Sequence, residues 1–256
     1  MLISEILSLY MDSIRHKSTY RVDIYIQKRF NVLWGDIDHT NFTIDVLNKH
    51  KKKRLTEVKT GTVRRELSLI KRAWRYCQSE GYELTDLFYH FRMPPSGNTE
   101  RRIPTERELK ALIQYCSPQV SALIQLGIET CCRRNEMLNI KKKFVDFKAR
   151  TLFLPEAKTG PRTVPLSSKA IRILKKWDCN FTIKPYAVSS NVRRVCKRLD
   201  IRGLCFHSIT RHYGTTRLIE RGFSLSEAAT VTGHRDPRML QHYTHLNVTK
   251  LAQRLD

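Results

Sequence analysis

Acidic residues are scarce in this chain: 24 Asp plus Glu stand against 47 Lys plus Arg, a formal charge of +23 and a pI near 10. Long apolar runs are missing as well, since no segment approaches about 18 consecutive apolar residues. The opening MLISEILSLYMDSIRHK meets Glu5 and Asp12 too early for a secretory signal and reads as an amphipathic helix. These absences predict a soluble, intracellular protein with no membrane partner. No C-x-x-C pair occurs among the seven cysteines, and the number is odd, which argues against a disulfide framework and a structural zinc site. They read as reduced, mostly buried thiols. Also missing are a Gly-rich phosphate loop, a carboxylate cluster fit to hold a metal, an internal repeat and any low-complexity tract. Neither cofactor nor metal is expected.

What is present fits a folded protein with a strongly basic surface. Hydrophobic residues at 41% and aromatics at 9% are ordinary globular values, so disorder fails as a whole-chain reading. A charge of +23 implies a polyanionic partner. Nucleic acid comes first, because neutralising its phosphates releases counterions. A length of 256 residues suits two domains.

Residues 1–95 predict a helical domain. Ile3, Ile6, Leu7, Tyr10 and Ile14 fall on one face of a first helix, and Ile24, Ile26 and Phe30 mark a second. In GTVRRELSLIKRAWRYCQSEG, Val63, Leu67, Ile70, Trp74 and Cys77 recur at spacings of four and three, with glycines closing the helix at both ends. Its outer face carries Arg64, Arg65, Lys71, Arg72 and Arg75, and KHKKKR precedes it at 49–54. Such runs are often only a solvated face; here their clustering points to phosphate contacts. Regular apolar spacing then stops in RMPPSGNTERRIP, placing an exposed linker at 96–104.

A second domain, 105–256, opens with a capping box at Thr105 and Glu108. An apolar helix covers VSALIQLGIETCC and a short one runs around Asn135 to Ile140. The runs FVDF, TLFL and TVPL, separated by turn signals at Lys148-Ala149 and Lys158-Thr159-Gly160-Pro161, predict three antiparallel strands. Helices resume after Ser167, with a second capping box at Ser224 and Glu227. Asp236 before Pro237 starts a final helix through Tyr243. The expected class is therefore mainly α with a small antiparallel β-sheet (α+β).

Four separated places in this second domain carry groups suited to gripping a phosphodiester: Arg133-Arg134, Lys158 in a turn, the His207–His212 segment, and GHRDPRMLQHYTHL near the carboxyl end. Their order resembles the tyrosine recombinases, or phage integrase family. ETCCRRNEMLNI is similar to that family's T-G-L-R-x-x-E-L-L segment, EAKTGPRTVPLS to its lysine-bearing hairpin, and RHYGTTRLIERG to its second arginine helix. VTGHRDPRMLQHYTHL resembles its G-H-x8-Y box, and GTVRRELSLIKRAW resembles the N-R-x-L-x-x-L-+ helix of its core-binding domain. The likeness covers nearly the whole chain. It implies a helical core-binding (SAM-like) domain joined to a tyrosine-recombinase catalytic domain.

The resemblance also implies roles. Tyr243 would attack a DNA phosphate to give a 3′-phosphotyrosyl link, and Arg133 and Arg211 would hold the non-bridging oxygens. Lys158 would protonate the leaving 5′-oxygen, and His234 would bind the phosphate. Arg133 competes with Arg134 for its place and could instead pair with Glu136 or Glu129. The family's H-x-x-R becomes FHSITRH here, so His207 lies four residues before Arg211 and Ser208 occupies the usual histidine position. Either His207 accepts the proton or Ser208 donates a hydrogen bond there, while His212 is expected to point away as a structural residue. Cys131-Cys132, where the family has glycine and an aliphatic residue, reads as a packing substitution. The implied partners are double-stranded DNA attachment sites and three further protomers in a homotetramer, with room for an accessory directionality factor. Phage or mobile-element integration and excision in the cytoplasm of a prokaryotic host is the expected role; the alternatives are a Xer-like dimer resolvase and a DNA-binding protein without catalysis.

Overall fold

The computed structural model describes residues 1–17, 19–96, 102–157 and 159–243, with His242 and Tyr243 described by backbone alone. The chain divides into two compact units, Met1–Thr99 and Glu100–Asp256. The first is built from α1 (Ile3–Ser13), α2 (Tyr20–Trp34), α3 (Ile44–Glu57), α4 (Thr60–Ser79) and α5 (Leu87–His90). The apolar stripes of α1 and α4 face each other, burying Ile3, Ile6 and Leu7 with Leu67, Ile70 and Trp74 in one core. Trp74 Nε1 donates to the Thr85 carbonyl at 2.8 Å, so this large ring is buried with its polar handle satisfied. Helix α4 begins one residue ahead of Gly61, after Lys59 in extended backbone. Of the two expected flanking glycines, only Gly81, at φ +90°, lies outside the helix.

Not all of the basic run at 49–54 faces solvent. His50 and Arg54 turn inward to Glu66, and Lys51 Nζ donates to the Arg92 carbonyl at 3.0 Å. Lys49, Lys52 and Lys53 remain exposed. On α4, Arg64, Arg65, Ser68 and Arg72 line a cleft with Thr19, Asp23 and Gly61.

The second unit starts with α6 (Glu106–Tyr115), capped at Thr105 as its sequence predicts: Thr105 N donates to Glu108 and Glu108 N to Thr105 Oγ1. Then come α7 (Pro118–Thr130), α8 (Arg134–Leu138), β1 (Val145–Asp146), β2 (Thr151–Leu154), β3 (Arg162–Pro165), α9 (Ser168–Lys176) and α10 (Pro185–Arg198). The three strands form an antiparallel sheet in the order β1-β2-β3, with Leu152 opposite both Val145 and Val164. The first strand keeps only two residues of FVDF, because Asp146 Oδ1 accepts from the amides of Lys148 and Ala149 and closes the turn early. A π-helical turn at Ser208–His212 leads into α11 (Tyr213–Glu220), followed by α12 (Leu225–Thr232). The fold is mainly α with a small antiparallel sheet.

The expected final helix, Pro237–Tyr243, is a 3₁₀ helix. Asp236 Oδ1 accepts from the Arg238 amide at its start, and Leu240 is fully buried among Ala228 and Ala229 of α12. Among the described side chains of this segment, Leu240 anchors it to α12. Among the described residues no helix is long and apolar enough to cross a membrane.

Candidate active site

Arg211 lies at the centre of the second unit, 2% exposed. A guanidinium so deeply placed needs acceptors. Nη1 donates to the Cys131 carbonyl at 3.0 Å, and Nη2 lies 3.3 Å from His234 Nε2. The first of these contacts is possible because α7 ends at Cys131 in the left-handed conformation, φ 53°, which turns the chain under α11. Gly214 makes room for that approach: a Cβ there would come within 2.7 Å of the Ile128 carbonyl.

His234 is oriented from behind. Its Nδ1 lies 2.6 Å from Thr232 Oγ1, whose own proton goes to the Ala228 carbonyl at 2.7 Å. The network is satisfied when Nδ1 carries the proton and Nε2 accepts from Arg211. Gly233, in the left-handed conformation at φ +68°, ends α12 and aims the next residue at the arginine.

Arg133 caps α8 and shares a carboxylate with a residue that the sequence did not single out. Arg133 N and Nη1 donate to Glu136 at 2.7 and 2.8 Å, while Arg162 Nη1 and Nη2 grip the same carboxylate at 3.0 and 2.8 Å. Burial works to raise the Glu136 carboxyl, but the Arg162 and Arg133 hydrogen bonds outweigh it and hold the group at about 2. Arg211 shows the opposite imbalance. Burial, then the positive charges of Arg133 and Arg162, lower its guanidinium to about 10. Among the described residues, Arg133 and Arg162 share the Glu136 carboxylate while their charges bear on Arg211, so positive charge exceeds negative in this cluster.

The alternatives for the first arginine separate by geometry. Arg134 Nη1 donates to Ser189 Oγ and its Nε to Asn135, which turns it towards α10. Glu129 is taken by Ser167 Oγ at 2.9 Å and lies 3.6 Å from Arg217. Arg133 pairs with Glu136, yet keeps 23% of its side chain exposed.

The four-residue step from His207 to Arg211 falls in the π-helical turn, where the Tyr213 amide reaches back five residues to the Ser208 carbonyl. A π turn holds roughly 4.4 residues, so a step of four covers nearly one revolution and keeps both side chains on one side. The extra residue is absorbed as a bulge. Ser208 is 5% exposed; its hydroxyl accepts from the Cys205 amide at 2.8 Å and donates to the Cys205 carbonyl at 2.9 Å, closing its own turn. His207 is exposed. The same π geometry places the His212 ring edge-on against it, 4.6 Å between centroids, so His212 does not point away from this group.

Cys131 and Cys132 are fully buried, and burial pushes their thiols up to about 12 and about 11. At neutral pH they are packing groups. Lys158 lies outside the described residues, as does the Tyr243 side chain, although the Tyr243 backbone ends the 3₁₀ helix. The turn beside Lys158 is tied to the His234 segment, since Arg235 Nε donates to the Thr159 carbonyl at 3.4 Å.

Arg162 was legible in principle. On β3 it shares its face with buried Val164, and an arginine on the inner face of a strand requires a buried anion.

Residues 101–250 match the phage integrase family model. The chain is 30% identical to a shufflon-specific DNA recombinase of Escherichia coli, over 100% of its own length and 72% of the relative's. Its fold is similar to the Tn1549 transposon integrase solved with transposon right end DNA, with a TM-score of 0.80 at 14% identity over 100% of this chain and 99% of that one. It is also similar to a lambda integrase tetramer bound to a Holliday junction, with a TM-score of 0.79 at 18% identity over 95% of this chain and 77% of that one. Arg211 and His234, from two separate segments, meet in the part of the chain that the family model covers, and the chain belongs to the phage integrase family, the tyrosine recombinases.

Proposed function

We propose that Arg133, Arg211 and His234 hold the scissile phosphate of a DNA recombination site while Tyr243 attacks it. The observation that carries this reading is the unbalanced positive charge of the Arg133, Arg162 and Arg211 cluster around a single Glu136. A phosphodiester supplies the missing negative charge, and its two non-bridging oxygens match guanidinium donors. In the proposed step Tyr243 Oη bonds to phosphorus and the bond to the 5′-oxygen breaks. His207 takes the tyrosine proton and Lys158 delivers one to the departing oxygen. A 3′-phosphotyrosine and a free 5′-hydroxyl result. The new ester keeps the bond energy, so a 5′-hydroxyl of another strand can reverse the step without ATP.

The substrate is duplex DNA. The first unit contributes Arg64, Arg65 and the exposed lysines of α3 as phosphate contacts that set position. Four protomers acting on two sites would exchange strands in pairs, as the lambda integrase tetramer on its junction suggests. The role is integration and excision of a phage or other mobile element in the cytoplasm of a prokaryotic cell, with an accessory directionality factor where excision needs one.

Covalent capture tests this. Sheared DNA of the genome that carries the gene is incubated with the protein, and adducts that survive boiling in detergent are sequenced. The wild type should trap one recurrent site and Tyr243→Phe should trap none while still binding it. Sites at the ends of a mobile element support integration; a site at the chromosome terminus indicates dimer resolution. Tight binding with no adduct would leave a DNA-binding protein without catalysis.

A further inference from the structure

Arg162 is given no bond to the phosphate in the proposed transfer, yet it is more fully buried than Arg133, at 10% side-chain exposure against 23%. Both of its terminal nitrogens are committed to Glu136. The two-nitrogen edge of its guanidinium is therefore turned to the carboxylate. Its carboxylate partner receives the Arg133 backbone and side chain from the other side, so Glu136 fixes the two arginines relative to each other.

The stem of Arg162 makes a second contact. Gly233 packs directly on it: a Cβ at Gly233 would come within 2.9 Å of Arg162 Cδ and Nε and 3.0 Å of Cζ. Gly233 immediately precedes His234, whose ring meets Arg211. The Nε atom that faces this glycine is buried with no hydrogen-bond partner, an unfavourable arrangement that close packing on backbone imposes. Arg162, on β3, thus touches α8 through Glu136 and the end of α12 through Gly233. These two elements lead to Arg133 and His234.

We infer that Arg162 is a positioning residue that sets Arg133 and the His234 turn at the distance a phosphate requires. This rests on the reading that Arg133 and His234 serve the scissile phosphate. Lysine in its place keeps the charge but not the planar fork, so it cannot grip both Glu136 oxygens and lie flat on Gly233.

The test uses the full chain and a suicide duplex built on the captured site, in two versions. One has the normal phosphodiester; the other has a methylphosphonate at the scissile position, which removes the negative charge that the arginines neutralise. Arg162→Lys and Arg162→Met should bind the normal duplex within about twofold of wild type but cleave it roughly 100-fold more slowly. On the methylphosphonate the deficit should shrink to within about fivefold, as it should for Arg133→Ala. A packing defect alone would slow both substrates equally. Melting by circular dichroism identifies the folded variants, and Arg162→Lys is the gentler of the two. A folded variant with no deficit, or with the same deficit on both duplexes, overturns the inference. Failure of wild type to form an adduct on either duplex would instead overturn the phosphate-transfer reading.

Discussion

Each unit buries one glutamate among arginines, and the two clusters are balanced differently. In the first unit Glu66, 3% exposed, is gripped by Arg54 through Nε at 2.9 Å and Nη2 at 2.7 Å, with Arg29 also on it, and Glu57 takes another Arg54 nitrogen. Two carboxylates meet two guanidiniums. Burial works to raise the Glu66 carboxyl, but Arg54 and Arg29 prevail and hold it below its ordinary range; burial keeps the adjacent His50 low, so it adds no charge. Among the described residues of the second unit one carboxylate meets the two guanidiniums of Arg133 and Arg162 beside a third, Arg211, which burial and those charges push down to about 10. The first cluster is complete by itself and fastens α2, α3 and α4 together. The second is left with excess positive charge, which the proposed phosphate would balance. On that proposal the same residue types serve structure in one place and chemistry in the other.

Exchanging an arginine in each cluster should break this symmetry most sharply. Arg211→Met should cut single-turnover cleavage of a suicide duplex by 100- to 1000-fold, the usual cost of losing one transition-state donor. Arg54→Met should leave the cleavage rate per folded molecule within a few fold of wild type. The glutamates give a smaller contrast. Glu66→Gln strands two arginines and should destabilise the first unit by about 3 kcal/mol in urea titration, without slowing cleavage by folded protein. Glu136→Gln should slow cleavage roughly 100-fold, because Arg133 loses its register.

Acid sharpens the comparison further. Glu136 has its folded value depressed to about 2, against about 4.3 in an unfolded chain. Its contribution to stability is therefore full above about pH 4.3 and is lost as pH falls towards 2. Unfolding free energy, followed by circular dichroism, should drop through that window, and the drop should be shallower in Glu136→Gln. Arg211 behaves in the reverse sense. As a base with a depressed value it opposes folding most fully at pH below about 10, a cost that the proposed phosphate would offset. The smallest expected effect follows: 100 mM sulfate should stabilise wild type by about 1 kcal/mol more than Arg211→Met. Arg54→Met should respond to sulfate as wild type does.

Much of this was legible in the sequence, for reasons that differ by element. Helices α1 and α4 followed from apolar spacing, because a stripe that must be buried repeats with the helix turn. The capping boxes at Thr105 and Ser224 were equally plain, since each is local chemistry. The last segment was expected as a helix and is 3₁₀, with Leu240 buried against α12. At the candidate site, Arg133, Arg211 and His234 were named through the resemblance of their segments to the family's motifs. The place of the extra residue between His207 and Arg211 was not legible, because a π turn has no composition of its own. Nor was the pairing of Arg162 with Glu136, which are 26 residues apart and meet only once the hairpin packs on α8.

The central claim is that the uncompensated cations of the second unit seat a phosphate for Tyr243. Its most direct test is the chemical identity of the covalent adduct. The trapped complex is digested with protease and nuclease, and the modified peptide is sequenced by mass spectrometry, with the free DNA end assayed by kinase labelling. The account predicts a nucleotide joined through its 3′-phosphate to the peptide containing Tyr243, and a DNA end that accepts label without phosphatase treatment, as a 5′-hydroxyl does. A nucleotide on any other residue, or a linkage through a 5′-phosphate, would contradict it.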